Sequence, residues 1–334
     1  MKNVAMIGFG GIAQSHKNAH LRLEAEGKER LVAVCDITPS SFEKRIKINI
    51  DTGEESVEGS FNTYTDLEQM LASEQIDVID ICIPSYLHAD LAIDMMERGY
   101  DVMSEKPMAL HHDDCQRMLD AMRRTGRVLM IGQVLHFYPE YACLKQIVSD
   151  GRFGKPTSAV FQRFSGLPKW SWENWYHDYD KAGGVISDML IHDIDMARYL
   201  FGTPAFVECN ASSKNVKYDC AHVAMGYDFP VTCIGDWSQN GARFKMAYWL
   251  GFEKASVILE KGKPTVYPND GGEPYVPAEY EGGDGMYYQL KYMLELTETG
   301  KKNEISTPEG AAETIRIVEA AHKSADMRGE RVAL

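Results

Sequence analysis

The sequence predicts an α/β chain: a doubly wound parallel sheet at the N-terminus, followed by an α+β half built on a mostly antiparallel sheet. Three observations carry this prediction. The chain opens with an apolar strand that runs into a glycine-rich turn and a helix; short apolar runs then alternate with longer polar-patterned stretches to about residue 133; beyond that point strand-like runs follow one another.

In the first half the spacing predicts strands at Val4–Ile7, Leu31–Cys35, Val78–Ile83, Asp101–Ser104 and Val128–Ile131. Helices are expected between them, around Ile12–Glu26, Thr65–Ser73, His88–Arg98 and His111–Thr125, with Thr65 ahead of Asp66-Leu67-Glu68 as a capping box. Runs such as VIDICI are apolar on both faces, as strands covered by helices on both sides must be. In the second half a helix over Pro139–Ser149 and the turn DGRFGKP lead into strands at Thr157–Phe164, Val207–Ala211, Ala221–Tyr227, Thr232–Trp237 and Ala255–Leu259. One helical segment, Gly184–Leu200, interrupts that series, and a last helix is expected over Pro308–Met327. The domains are therefore expected at 1–133 and 134–334.

With 334 residues the chain is long enough for two cores, and 44% hydrophobic with 25% charged residues is the composition of a globular protein. No stretch approaches the roughly 18 apolar residues needed to cross a bilayer, and the N-terminal apolar run is too short for a signal peptide. Seven scattered cysteines without a CxxC pair read as reduced thiols, so a cytoplasmic protein without membrane contact is expected. A net charge of −14 argues against a nucleic-acid partner, which needs a basic face.

Gly8-Phe9-Gly10-Gly11-Ile12-Ala13 has the Rossmann spacing in its required strand-turn-helix context. Gly8 permits the tight turn, Gly10 lets a pyrophosphate approach the backbone, Ala13 allows close helix–strand packing, and the helix N-terminus offers free N–H groups. Asp36 ends the second strand, where a carboxylate accepts hydrogen bonds from ribose hydroxyls and repels a 2′-phosphate. NAD is therefore expected rather than NADP; Lys44 and Arg45 follow further along and could fold back.

Four further segments complete a pattern: Ile83-Pro84-Ser85-Tyr86-Leu87-His88, Ser104-Glu105-Lys106-Pro107-Met108, Gly132-Gln133-Val134-Leu135-His136-Phe137, and Ala182-Gly183-Gly184 through Asp188, His192 and Asp195. In this order they resemble the Gfo/Idh/MocA oxidoreductases, a family that includes inositol dehydrogenases and glucose–fructose oxidoreductase. The resemblance covers nearly the whole chain. It implies a Rossmann domain, a second domain with a large open sheet, an active site between them, and a homodimer or homotetramer. It also implies that Lys106 is the catalytic lysine with Glu105 beside it, that Asp188 and His192 face the substrate, and that Pro84, Ser85, His88, Glu105, Lys106 and Gln133 border the cofactor. His136 stands where many relatives carry arginine and is a candidate substrate contact.

The residue types fit that chemistry. A secondary alcohol releases hydride only as its oxygen loses the proton, which calls for a base near neutral pH and a positive neighbour. His192 suits the first role and Lys106 the second, with Asp188 binding a hydroxyl; which of Lys106 and His192 finally takes the proton is left open. Asp188 and His192, four apart, would share a helix face, and the Gly183-Gly184 pair would let substrate or cofactor near the backbone. Trp172, Trp175 and Tyr176 could form a carbohydrate wall or a core cluster. The acidic group Asp188, His192, Asp193 and Asp195 lacks metal spacing, so no metal is expected. The expected activity is hydride transfer between NAD and a sugar, glycoside or cyclitol alcohol. The alternatives are a glycosidase or lyase that retains its NAD through transient oxidation and elimination, and a non-catalytic NAD-binding sensor.

Overall fold

The structure is a computed structural model and describes residues 1–43, 59–239, 244–260 and 262–334. Lys44 and Arg45 lie outside the described residues. Two compact units share the chain: one comprises residues 1–134, 168–176 and 286–312, the other 135–167, 177–285 and 313–334.

The first unit holds six parallel strands, β1 Lys2–Ile7, β2 Glu29–Cys35, β3 Asn62–Tyr64, β4 Val78–Ile81, β5 Asp101–Glu105 and β6 Leu129–Gly132. They lie in the order β3-β2-β1-β4-β5-β6, so the chain reverses direction across the sheet between β1 and β4, where a doubly wound fold opens its ligand crevice. β4, β5 and β6 are buried at every residue, which explains why their sequences do not alternate. The helices are α1 Ala13–Ala25, α2 Leu67–Ser73, α3 His88–Glu97 and α4 His112–Thr125. In α4, Cys115, Met118, Leu119 and Ala121 form the buried stripe, Asp113 and Asp114 sit in the first turn, Arg123 and Arg124 in the last, and Gly126 ends it at φ 67°. The cap of α2 is Asp66, accepting from the Gln69 N–H at 2.8 Å, and not Thr65: the helix starts at Leu67, so Asp66 holds the cap position, three residues before the free Gln69 amide.

The second unit is built on eight strands: β7 Pro156–Phe164, β8 Phe206–Ser212, β9 Cys220–Gly226, β10 Pro230–Asp236, β11 Lys245–Phe252, β12 Ala255–Glu260, β13 Lys263–Pro268 and β14 Val332–Ala333. Their order is β13-β12-β11-β7-β10-β9-β8-β14, and every neighbouring pair is antiparallel except β7 with β10. One face is buried through Ala159, Phe161 and Arg163 of β7 and Val231 and Cys233 of β10, while the residues between them stay half-exposed. The expected helix over Gly184–Leu200 is instead α7 Gly184–Asp188 and α8 Ile191–Phe201, preceded by the single turn α6 Tyr179–Ala182; α5 Pro139–Asp150 lies upstream. Strands β11 and β13 were not expected. A short apolar run such as KMAYWLGF is as compatible with a buried helical turn as with a strand, and its pairing with β7 and β12 decides. Two helices complete the chain, α9 Gly285–Thr299 and α10 Pro308–Asp326. The seven cysteines are all free, and six are buried. No helix among the described residues is long and apolar enough to cross a membrane.

Candidate active site

In the first unit the predicted dinucleotide residues gather at the carboxyl ends of β1 and β2. Gly8 has φ 93°, and a Cβ there would meet the Cys82 carbonyl oxygen at 2.3 Å, so only glycine makes this turn. Gly10 has open space where its Cβ would stand. α1 then begins with no side chain capping it and no acidic residue in its first turn, which leaves its amides and positive dipole end for an anion. The Phe9 ring and Ile12 pack into the core with Met6, Leu31 and Val34, and the Phe9 amide donates to Asp36 Oδ2 at 2.7 Å. Asp36 Oδ1 accepts from the Thr38 amide at 2.7 Å and from Ser41 Oγ at 3.2 Å. The carboxylate is thus locked to the glycine turn. Gly10, Gly11, Ala13 and Asp36 fit a dinucleotide: an approachable backbone, an uncapped helix end and an anchored carboxylate.

β5 ends in Glu105, and the Lys106–Pro107 peptide that follows is cis. Glu105 is buried and Lys106 half-buried. His88, at the start of α3, is buried with Nδ1 2.7 Å from the Pro107 carbonyl oxygen and Nε2 2.9 Å from that of Ile83. Its ring holds together the loops after β4 and β5, and burial lowers its pKa. Pro84 and the buried Ser85 lie in the first of those loops. Gln133 follows β6; its side chain is 2% exposed, and among the described residues neither its amide oxygen nor its nitrogen has a hydrogen-bond partner. A buried amide left open in this way is completed by water or ligand.

A group that sequence reasoning missed lies beneath this loop. His16 Nδ1 is 2.7 Å from Asp80 Oδ2 and His16 Nε2 is 3.0 Å from Glu105 Oε1; His20 Nδ1 is 2.7 Å from Glu29 Oε1 and His20 Nε2 is 2.9 Å from Asp80 Oδ2. The signal was present in two histidines four apart in α1, a helix in which Ser15, Lys17 and Asn18 are buried as well. Atoms of His16, His20 and Asp80 lie within 4.8 Å of one another, and each imidazole nitrogen already faces a carboxylate oxygen at hydrogen-bond distance.

In the second unit Asp188 ends α7 and His192 lies in the first turn of α8, so a break at Met189–Leu190 separates them and they share no single helix face. Gly183 and Gly184 have φ 67° and 63°. A Cβ on Gly184 would meet the carbonyl oxygens of Lys217 and Tyr218 at 2.7 and 2.9 Å, and one on Gly183 the Ser187 side chain, so this pair admits the chain's own atoms rather than a ligand. Next to Asp188, Ser187 Oγ bonds His322 Nε2 at 2.8 Å, and His322 Nδ1 bonds the Tyr179 hydroxyl at 2.9 Å, a brace not visible in the sequence. Asp193 forms a buried two-point pair with Arg163 at 3.0 and 3.2 Å. Asp195 accepts from Arg198 Nη2 at 2.8 Å and Thr314 Oγ1 at 2.6 Å, and lies 2.7 Å from His136 Nε2. Burial opposes ionisation of Asp195, but Arg198 and His136 hold its pKa well below the usual carboxylate range. His136 is 4% exposed and stacked on Tyr199 at 3.9 Å, so its ring belongs to this interior pair and not to a substrate surface.

The aromatic segment belongs to the first unit. Trp175 is buried and stacks on Tyr176 at 4.0 Å, while Trp172 is 41% exposed. Glu173 and Asn174 between them adopt φ 49° and 53°, so the segment is sharply bent.

Residues 2–133 match the profile described as oxidoreductase family, NAD-binding Rossmann fold, and residues 141–263 match the GFO/IDH/MocA C-terminal domain. Inositol 2-dehydrogenase of Rhizobium meliloti (strain 1021) is 29% identical over 200 residues, 59% of this chain and 54% of that protein. D-glucoside 3-dehydrogenase of Escherichia coli (strain K12) is 29% identical over 213 residues, 63% and 57% of the two chains. The matches thus span little more than half the length of these relatives. The crystal structure of aldose-aldose oxidoreductase from Caulobacter crescentus, complexed with glycerol, superposes with a TM-score of 0.81 at 23% identity, covering 100% of this chain and 99% of that one, and shares the fold. With both of its halves matched in order by profiles of one family, the chain belongs to the Gfo/Idh/MocA oxidoreductases.

Proposed function

We propose that this protein is an NAD-dependent dehydrogenase that moves a hydride between the nicotinamide and a secondary alcohol of a sugar, glycoside or cyclitol. The observation that carries the reading is the gathering, at the carboxyl ends of β1, β2, β5 and β6, of the open Gly10 backbone, the anchored Asp36, Lys106 and the unpartnered amide of Gln133. The substrate class is supported by relatives that act on inositol and glucosides.

Bound NAD supplies the hydride acceptor, and the protein's own groups do the rest. The Lys106 ammonium hydrogen-bonds the substrate oxygen and stabilises the alkoxide as it develops. His192 accepts the proton, and Asp188 holds a neighbouring hydroxyl. Pro84, Ser85 and Gln133 border the cofactor. Trp172, with its exposed face, is the aromatic best placed to stack on a sugar ring. The half-exposed face of the eight-stranded sheet is where a second copy would pack in a homodimer or homotetramer. Seven free cysteines suit a cytoplasmic setting.

The test is a panel of cyclitols, free sugars and glycosides offered with NAD and with NADP. NADH formed in step with product supports the dehydrogenase; product without net NADH points to the cofactor-retaining alternative; neither, with NAD bound, overturns the proposal. Asp36→Ala removes charge-assisted hydrogen bonds of about 1.5–3 kcal/mol, so KM for NAD is expected to rise roughly 10- to 100-fold while KM for NADP changes little. An unchanged ratio of the two constants would remove Asp36 from the cofactor site.

A further inference from the structure

Five ionisable side chains alternate through the interior of the first unit in the order Glu29, His20, Asp80, His16, Glu105, with every link between 2.7 and 3.0 Å. None is more than 8% exposed. All four links are satisfied when both imidazoles donate from both nitrogens to carboxylate oxygens, the state toward which the raised pKa values of His16 and His20 point. Burial pulls the His20 pKa down, but the Glu29 and Asp80 carboxylates overcome it and raise it to about 9. His16 is raised as well: burial opposes and the Asp80 carboxylate outweighs it.

Stability alone does not account for this arrangement. Buried ion networks replaced by well-packed apolar residues are often as stable or more so. Conduction of protons to solvent does not account for it either, because the far end, Glu29, is 0% exposed. What distinguishes the chain is where it ends. Glu105 Oε1 accepts from His16 Nε2, and Glu105 Oε2 accepts the Lys106 backbone N–H at 3.1 Å. Across the neighbouring strand, a Cβ on Gly132 would stand 2.8 Å from Glu105 Oε1, so the absence of a side chain there makes room for the carboxylate. The Glu105 carboxylate is thus held on one side by His16, on another by the peptide that carries the Lys106 side chain, and fits against a bare strand on a third.

We propose that His16 and Asp80, backed by His20 and Glu29, are positioning residues that fix the Glu105 carboxylate and through it the Lys106 peptide for the hydride-transfer step. The inference rests on the function proposed above, in which Lys106 contacts the substrate. Displacing a reacting group by about 1 Å costs roughly 100-fold in rate, and this chain is the rigid support against such a shift.

The test uses the full-length protein with NAD and whichever cyclitol, sugar or glycoside forms NADH fastest. His16→Leu and Glu105→Gln should each lower kcat about 10- to 100-fold with KM for NAD within about threefold, and the double variant should be no worse than the weaker single, because both break one device. Gly132→Ala keeps every ionisable group but crowds Oε1, and should lower kcat similarly; it serves if His16→Leu fails to fold. Nitrogen-15 NMR of the histidine-labelled parent should show His16 doubly protonated at pH 8, independently of any substrate. Parent-like kcat in His16→Leu or Gly132→Ala alongside an inactive Lys106→Ala overturns the inference and leaves the proposed function standing, as does a neutral His16 ring. Full turnover by Lys106→Ala overturns the inference together with the role given to Lys106, whereas the proposed function falls only if the parent forms neither product nor NADH with NAD bound.

Discussion

Lys106→Ala lowers kcat for NADH formation by about 10²- to 10⁴-fold, the range that a positioned proton-transfer or charge-stabilising group contributes, and leaves NAD affinity within a few-fold. The separation follows from where the groups stand in the first unit. The features proposed to bind the cofactor are the Gly8–Ala13 turn and Asp36, whose carboxylate is tied to the Phe9 and Thr38 amides, while Lys106 follows β5, two strands from β1. His192→Ala is expected to cost a comparable factor in kcat. If His192 is the proton acceptor, the acidic limb of the parent's kcat–pH profile disappears in that variant; if Lys106 takes the proton, the limb survives. Steady-state kinetics combined with fluorescence titration of NAD measures both quantities. Full turnover in both variants with NAD binding intact would remove these residues from the reaction.

Arg163→Leu lowers the unfolding free energy by about 3–5 kcal/mol, as expected when one partner of a buried ion pair is removed and the other charge is stranded. Arg163 is 4% exposed on the buried face of β7, and its two contacts to Asp193, which is 0% exposed, fasten α8 to the eight-stranded sheet. Burial opposes the guanidinium charge, but the Asp193 carboxylate holds it in place. At about 2–4 °C per kcal/mol for a unit of this size, the melting temperature should fall by roughly 10 °C. Arg163→Leu with Asp193→Leu should recover much of that loss, since neither charge is then left alone. Thermal melts of the three variants measure it; a single variant that melts like the parent would show that the pair carries no stability.

Legibility differed along the chain for identifiable reasons. The glycine turn, Asp36, and the Glu105-Lys106-Pro107 segment could be read because each needs a particular residue within a few positions of a strand end. Gly8, for example, faces the Cys82 carbonyl at a distance no Cβ tolerates. His136 was misplaced because its partner Asp195 is 59 residues away, and nothing local distinguishes a substrate histidine from one stacked on Tyr199. Gly183-Gly184 was read as a close approach by substrate or cofactor, but what approaches is the Ser187 side chain at Gly183 and the Lys217–Tyr218 backbone at Gly184.

By itself the amino-acid sequence determined the two-part α/β architecture, the strand-turn-helix start with its acidic partner, and the family. These follow from short-range rules: periodicity, glycine and proline geometry, and local charge. The tertiary structure alone decided that Asp188 and His192 sit on successive helices, that Arg163 neutralises Asp193, and that His16, His20, Asp80 and Glu29 converge beneath Glu105. Buried charges choose partners by proximity in space, because burial makes an unpaired charge prohibitive whatever its neighbours along the chain.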